Sequence, residues 1–523
     1  MGVVQKKGVS ARSNGQPPRR QRTVVRAVGG VRRAEPSDPV DAPFPMSAPL
    51  PPTFPSRMVE ISAFGAAEGG KRDCTAALND AIEACAATGG GRVVVPRGDW
   101  LSGPIHLRSN IDLHLSDGAT LHFHDDPDRY LPVVFVRWNG QECYSYSPLI
   151  YARDCQNIAI TGRGALRGRG RAWWRWVKAE EQTATRLYRM VLDNTPVDQR
   201  TFGDMRPSLR PQMIVAINCR SVLLEDFSVE EPGPFWTIHA AYCEGVLARR
   251  LTVRTPDAPN ANGIVIDSSR DVLIEDCQID AGDDCVSLKS GMNEDGWRID
   301  RPTENVVIRR VHATGGHGGL AIGSEMSGGV RNVLVCDCRW HGLRAGLRLK
   351  AARGRGGVVE RVFVRNIEMD QIGGDAIQMN TEYSTFVSPD GRPPTFRDVD
   401  IRDVTCRSAG TAVRILGQAD CAVQNVRLEN VTITSDEGLQ CTAGSGIGLV
   451  NVRIAPRSGP VLAVKDSQDV LIAGLHGAAS QGVFLDLRGR RTRNICLRGE
   501  SSGGVRPTIV LGVDVPRDSI VQE

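Results

Sequence analysis

Three stretches repeat one pattern: Val222-Leu-Leu-Glu-Asp-Phe-Ser-Val229, Val246-Leu-Ala-Arg-Arg-Leu-Thr-Val253 and Val272-Leu-Ile-Glu-Asp-Cys-Gln-Ile279. Apolar residues stand at positions 1, 3 and 6, with polar residues mostly between them. Positions 1 and 3 share the parity of a strand, and the shift to 6 implies a bend or bulge. The pattern returns at Val306, Val333, Val362, Val399, Val426, Val452 and Val470. A turn former precedes most of these runs: Asn at 110, 157, 305, 332, 425 and 451, Asp at 271, 398 and 469, and Ser221 and Gly245 in the same place. Such residues tolerate the left-handed conformation of a sharp corner.

A period of roughly 25 residues with two or three short strands is one coil of a parallel β-helix. Each coil buries its inward row only against the next. The repeats predict about ten coils in an all-β solenoid, and longer steps mark loops projecting over a binding face. Leu78, Ile82 and Cys85 fall at helical spacing, with Thr75 available as cap and Gly89-Gly90-Gly91 as stop. One helix at 74–87 should cap the start of the solenoid. Asn430-Val-Thr432 matches a glycosylation sequon, but Asn430 reads equally as one more turn residue.

Of 523 residues, 24% are charged and 5% aromatic, so the core must come from Val, Leu, Ile and Ala. No apolar run reaches the ~18–20 residues of a membrane span. Net charge is +4, but residues 1–58 hold ten Lys or Arg against three acids, which leaves the other 465 at −3. A near-neutral body is not a general nucleic-acid binder. Residues 1–57, Pro- and Arg-rich without a hydrophobic signal stretch, are expected to be disordered or a mis-assigned start, with Met46 and Met58 as alternatives. Residues 58–523 then form a single β-helix catalytic domain. The 14 cysteines lack metal-site spacing and read as small buried hydrophobes; in one strand, Cys336 and Cys338 would share a face.

Four segments on successive coils carry chemistry: Asn260-Ala-Asn262-Gly263, Gly282-Asp283-Asp284, Gly316-His317-Gly318 and Arg348-Leu-Lys350. Stacking sets them about 5 Å apart along one face. Two carboxylates, an imidazole and two cations would then form one patch. Glycoside hydrolysis needs a carboxylic acid to protonate the leaving oxygen and a carboxylate to activate water. Paired carboxylates split their pKa values, and Arg with Lys binds a sugar carboxylate. The patch therefore suits hydrolysis of an acidic polysaccharide.

These motifs resemble those of glycoside hydrolase family 28, the polygalacturonase family. The wider match runs from Phe64-Gly-Ala to about residue 480 and includes Asn157-Ile-Ala-Ile-Thr-Gly, Trp173-Trp174 and Pro234-Phe-Trp236-Thr-Ile-His239. Gly323-Ser-Glu325-Met resembles the bacterial, often exo-acting members. The resemblance implies a right-handed parallel β-helix and inverting hydrolysis of α-1,4-galacturonan, with no metal and no cofactor. It makes Asp283 the general acid and Asp284 the base, with His317 in support and Arg348 and Lys350 on the substrate carboxylate. Asn260, Lys289, His239 and Glu325 join the substrate-binding set. Family resemblance suggests a secreted or periplasmic location, and oligomeric state is not legible.

One residue departs from the pattern. The family usually has Asp where this chain has Asn262, sharing the water-activating role. An amide can hydrogen-bond the water but cannot take its proton, and Asp267 lies at the opposite strand parity. Galacturonan hydrolysis, another pectic linkage such as rhamnogalacturonan, a calcium-dependent lyase and a weakly active or non-catalytic pectin-binding solenoid all remain open. The stretch 176–211, with Glu180-Glu181, Arg186 and Arg189, is long enough to wall off one end of a groove or to be a surface loop.

Overall fold

A computed structural model describes residues 26–203, 208–383, 386–477, 482–498 and 508–522. Its body is a parallel β-helix. One row of inward positions runs Val222, Val246, Val272, Val306, Val333, Val362, Val399 and Val426, each in register with the next. The row continues to Ile447, Val470 and Ile495. Val452, expected in this row, pairs instead with Val431 beyond the next corner. The stack is also deeper than ten coils: Val59, Val93, Leu113 and Ile160 precede Leu224's coil, and Ile520 follows Ile495. The early coils lack the repeat's spacing, so only the corners at Asn110 and Asn157 marked two of them.

The corners form as the sequence predicts. Every turn former named above takes positive φ, from Asn451 at 50° to Gly245 at 69°. Their amides stack between coils: Asn332 Nδ2 donates to Asn305 Oδ1 (2.9 Å), and Asn305 Nδ2 to Asp271 Oδ1 (2.9 Å). The parity shift at position 6 is a second corner rather than a bulge, with Asp226, Arg250, Asp276 and Arg310 at positive φ. Asn430 stands in this second ladder, bonded to Asp403 and Asn451. The corner at Asp337 (φ 56°) also separates Cys338, in the core, from Cys336 on the outer side. They do not share a face. Of the fourteen cysteines, all are free and twelve are buried.

Helix Thr75–Ala87 buries Leu78, Ala81, Ile82 and Cys85 against the first coil. Thr75 is its first residue, not its cap; the Asp73 carboxylate accepts the Thr75 N–H (2.9 Å).

The boundary expected at residue 57 does not hold. Residues 1–25 lie outside the described residues, but Arg26–Arg33 pairs antiparallel with Thr53–Glu60. The strap between them lies along an outward row made of Leu223, Leu247, Leu273, Val307 and Leu334, onto which Phe44 and Phe54 pack. Arg249 Nη2 donates to Glu35 O (2.8 Å), and Arg309 to Asp38 O and Pro39 O (2.9 and 3.0 Å). Proline content here suits an extended strap anchored by side chains, which composition alone reads as disorder.

Of the stretch 176–211, the described residues 176–203 and 208–211 form a folded insertion, not a loose loop. Helix Val177–Leu192 buries Glu180, Thr183, Ala184, Leu187 and Val191, a helical spacing. It packs over a small sheet of Val134–Trp138, Gln141–Ser145 and Thr201–Phe202. Trp138, Leu187, Phe202, Phe235, Trp236 and Val265 form this second core outside the solenoid.

Candidate active site

The outward row of one face reads Val215, His239, Val265, Ser287, Ala321, Arg348, Gln378 and Arg414 in register. The insertion covers its first three members, which are at most 2% exposed. From Arg348 on, the row is partly open to solvent. Tyr188 on the insertion helix donates to Val387 O (2.8 Å), joining the insertion to a loop from beyond the site. The row is therefore covered on the side toward the N-terminus through Ser287 and Ala321 and opens at Arg348, which reaches back to the coil of Asp284.

At that closed end the four motifs converge. Asp284, Gly318 and Ala345 are in register. Arg348 follows Ala321 in its own row and folds back to place Nη1 2.9 Å from Asp284 Oδ1. Lys350 Nζ stands 2.8 Å from Asp284 Oδ2. A Cβ at Gly318 would lie 2.9 Å from Asp284 Oδ1 and 3.0 Å from Arg348 Cδ, so glycine is what lets the cation reach the acid. His317 Nδ1 is 3.0 Å from Asp283 Oδ1, which also accepts the Asp284 N–H (3.0 Å). Gly316 has φ +123°, and a Cβ there would meet Asp283 O at 2.4 Å. The two glycines around His317 are thus contact requirements of the site.

Burial raises the Asp284 carboxyl, but Lys350 and then Arg348 outweigh it and hold it at about 2. Asp284 is 1% exposed. Asp283 is half-buried at the groove edge and His317 is exposed. One carboxylate kept ionised between two cations, and a second carboxyl touching an imidazole, can accept and donate protons across a bound sugar.

Other expected site residues lie elsewhere. Lys289 and Glu325 form a buried ion pair, with the ammonium 5.0 Å from the Trp236 ring centre. Burial raises Glu325, but Lys289 and Arg355 bring it down to about 2. His239 is fully buried 3.5 Å from Asp267, and burial pushes its imidazole down toward the neutral form. Asp267 is itself fully buried 3.3 Å from Arg137, away from the groove. Asn260 is exposed, and its Oδ1 accepts from Arg210 Nη2 (2.8 Å). These four therefore support the site from behind or beside it. Asn262 is inside: it is 1% exposed, and its Nδ2 donates to Ser287 Oγ (2.8 Å).

Three neighbours escaped the sequence reading. Tyr383 places its ring 5.3 Å from Lys350 Nζ, from a loop with no repeat to mark it. Ser287 sits within the strand that follows Gly-Asp-Asp, where its residue type alone gave it no chemistry. Arg210 is fully buried and bonds Glu180, Pro234 O, Pro259 O and Asn260, tying the insertion to the first motif. The signal for it was the helical spacing that buries Glu180.

The profile of glycosyl hydrolases family 28 matches residues 85–446. A probable polygalacturonase of Vitis vinifera is 29% identical over 384 residues, 71% of this chain and 73% of that protein. An exo-poly-alpha-D-galacturonosidase of Dickeya chrysanthemi is 24% identical over 440 residues, 76% and 71%. Among solved structures, a hyperthermoactive exopolygalacturonase from Thermotoga maritima superposes with a TM-score of 0.74 at 36% identity, over 78% of this chain and 94% of that one. The profile alone spans more than two thirds of the chain, and the motifs it contains meet in one groove: the protein is a glycosidase and belongs to glycosyl hydrolases family 28.

Proposed function

We propose that this protein hydrolyses polygalacturonate from a chain end, in a single displacement with inversion. The observation that carries the reading is a groove closed where Asp284 meets two cations and Asp283 meets an imidazole. The similarity to exo-acting galacturonidases supports the substrate class. Asp283, at the groove edge, gives its proton to the leaving glycosidic oxygen. Asp284 takes a proton from the attacking water, and His317 orients Asp283. Arg348 and Lys350 face the substrate carboxylate, and Tyr383 flanks it.

Polygalacturonate digestion followed by chromatography tests this. The expected product is a single short species from the earliest time points, with little loss of viscosity. A ladder of oligomers and rapid thinning would overturn end-action. No new reducing ends would overturn hydrolysis and favour a binding solenoid, the reading to which Asn262 lends weight. Absorbance from an unsaturated sugar would instead mark a lyase.

Read from sequence, Arg348 and Lys350 act on substrate binding alone. Their contacts with Asp284 give them a second task. Lys350→Ala is expected to raise KM through the lost charge-assisted bond, by about 10-fold or more. It should also release the Asp284 carboxyl upward, since Lys350 is the strongest influence holding it down. Because the base works only when ionised, its acid limb should move to higher pH in kcat. An unchanged limb with KM alone altered would confine Lys350 to substrate binding.

A further inference from the structure

Ser287 is fully buried in the outward row between Val265 and Ala321, where an apolar residue would pack equally well. A buried hydroxyl is costly without a partner. Its partner is the Asn262 amide, whose Nδ2 donates to Ser287 Oγ at 2.8 Å. The two ends of an amide differ: nitrogen only donates and oxygen only accepts. With nitrogen turned to Ser287, Asn262 Oδ1 points the other way, buried and with no hydrogen-bond partner among the described residues. The turn carrying it is bonded directly to the base, since Gly263 N–H donates to Asp284 O (3.0 Å).

We propose that Ser287 is a positioning residue that sets the polarity of the Asn262 amide, so that Oδ1 accepts one hydrogen bond from the attacking water. This rests on the hydrolytic reading above. The water must offer a lone pair to the anomeric carbon, so both its protons need acceptors. Asp284 is one, and Asn262 Oδ1 is the other. A reversed amide would donate N–H to the water, drawing on one of its two lone pairs and leaving one of its protons without an acceptor, so the oxygen would be a poorer nucleophile. In the step itself, the water oxygen bonds to the anomeric carbon as the glycosidic C–O bond breaks. The leaving oxygen takes the proton of Asp283, and Asp284 takes a proton of the water. Asn262 exchanges none. The site thereby works with one base and one oriented amide.

The test compares Ser287→Ala in two backgrounds, reading kcat, KM and Tm on polygalacturonate. In the parent, a loss of about tenfold in kcat with KM unchanged is expected, because the amide is free to turn. In an Asn262→Asp background the same replacement should lower kcat by less than about twofold. The two oxygens of a carboxylate both accept, so nothing remains to be oriented. Equal losses in both backgrounds would show a merely structural serine and overturn the proposal, as would no loss in the parent. A parent without hydrolytic activity would instead bring down the functional reading, and this role with it.

Discussion

Asp283→Asn is expected to lower kcat on polygalacturonate by about 10²–10⁴-fold, the range for removing a general acid. The fold should be unaffected. Asp283 is only half-buried, and an amide oxygen can still accept the Asp284 N–H that its Oδ1 accepts now. Contact with His317 likewise survives as a hydrogen bond without charge. What would be lost, on the proposed mechanism, is the proton for the departing oxygen. An aryl galacturonide with an acidic phenol leaves without such help, so on that substrate the loss should shrink by at least tenfold. Equal losses on both substrates, at unchanged Tm, would mean that Asp283 only shapes the corner and that the acid stands elsewhere.

The second large effect concerns stability. A protein lacking residues 1–57 should lose roughly 10 °C in Tm and bind a hydrophobic dye. Deletion removes Phe44 and Phe54 and uncovers Leu223, Leu247, Leu273, Val307 and Leu334. Burial of each such side chain is worth about 1.5–3 kcal/mol, partly offset by the entropy of ordering the strap. A net change on the order of 5 kcal/mol, at about 2 °C per kcal/mol, gives the fall. It also strips Arg249 and Arg309 of their carbonyl acceptors. Removal of residues 1–25 alone should spare these contacts. An unchanged Tm in the longer deletion would show the strap to be dispensable.

Most of the solenoid was legible because its physics is local. A left-handed corner selects Asn, Asp or Gly, and an inward row selects Val or Ile, so the period shows in the letters. Legibility ends where those rules are broken. Arg250, Arg310 and Arg361 take positive φ without a turn former's side chain, so residue type alone does not mark the corners they occupy. Val452 carried the right letters after Asn451, yet belongs to the second corner, because two corners in each coil choose the same residues.

The site was legible for a different reason. Asp283, Asp284, His317, Arg348 and Lys350 lie on short motifs one coil apart, and stacking converts that interval into contact. His239 lies in the register row of Arg348, Lys289 ends the strand that Asp284 begins, and Glu325 follows the strand that carries His317. They are out of the groove because an insertion from another part of the chain covers them, and no spacing rule reports what a distant segment will bury. The strap is the same case: its proline and arginine content says nothing of the leucine row that waits for it.

The closed groove has a consequence for supply. An enzyme that can admit only a terminus is limited by the number of molecules in solution, not by their mass. A long polymer offers very few places to begin, so under the proposed end-action the same weight of material would feed this protein faster after every internal scission. On the proposed end-action, its throughput would be set by whatever cuts chains in the middle, and a partner activity of that kind would act on it as a multiplier.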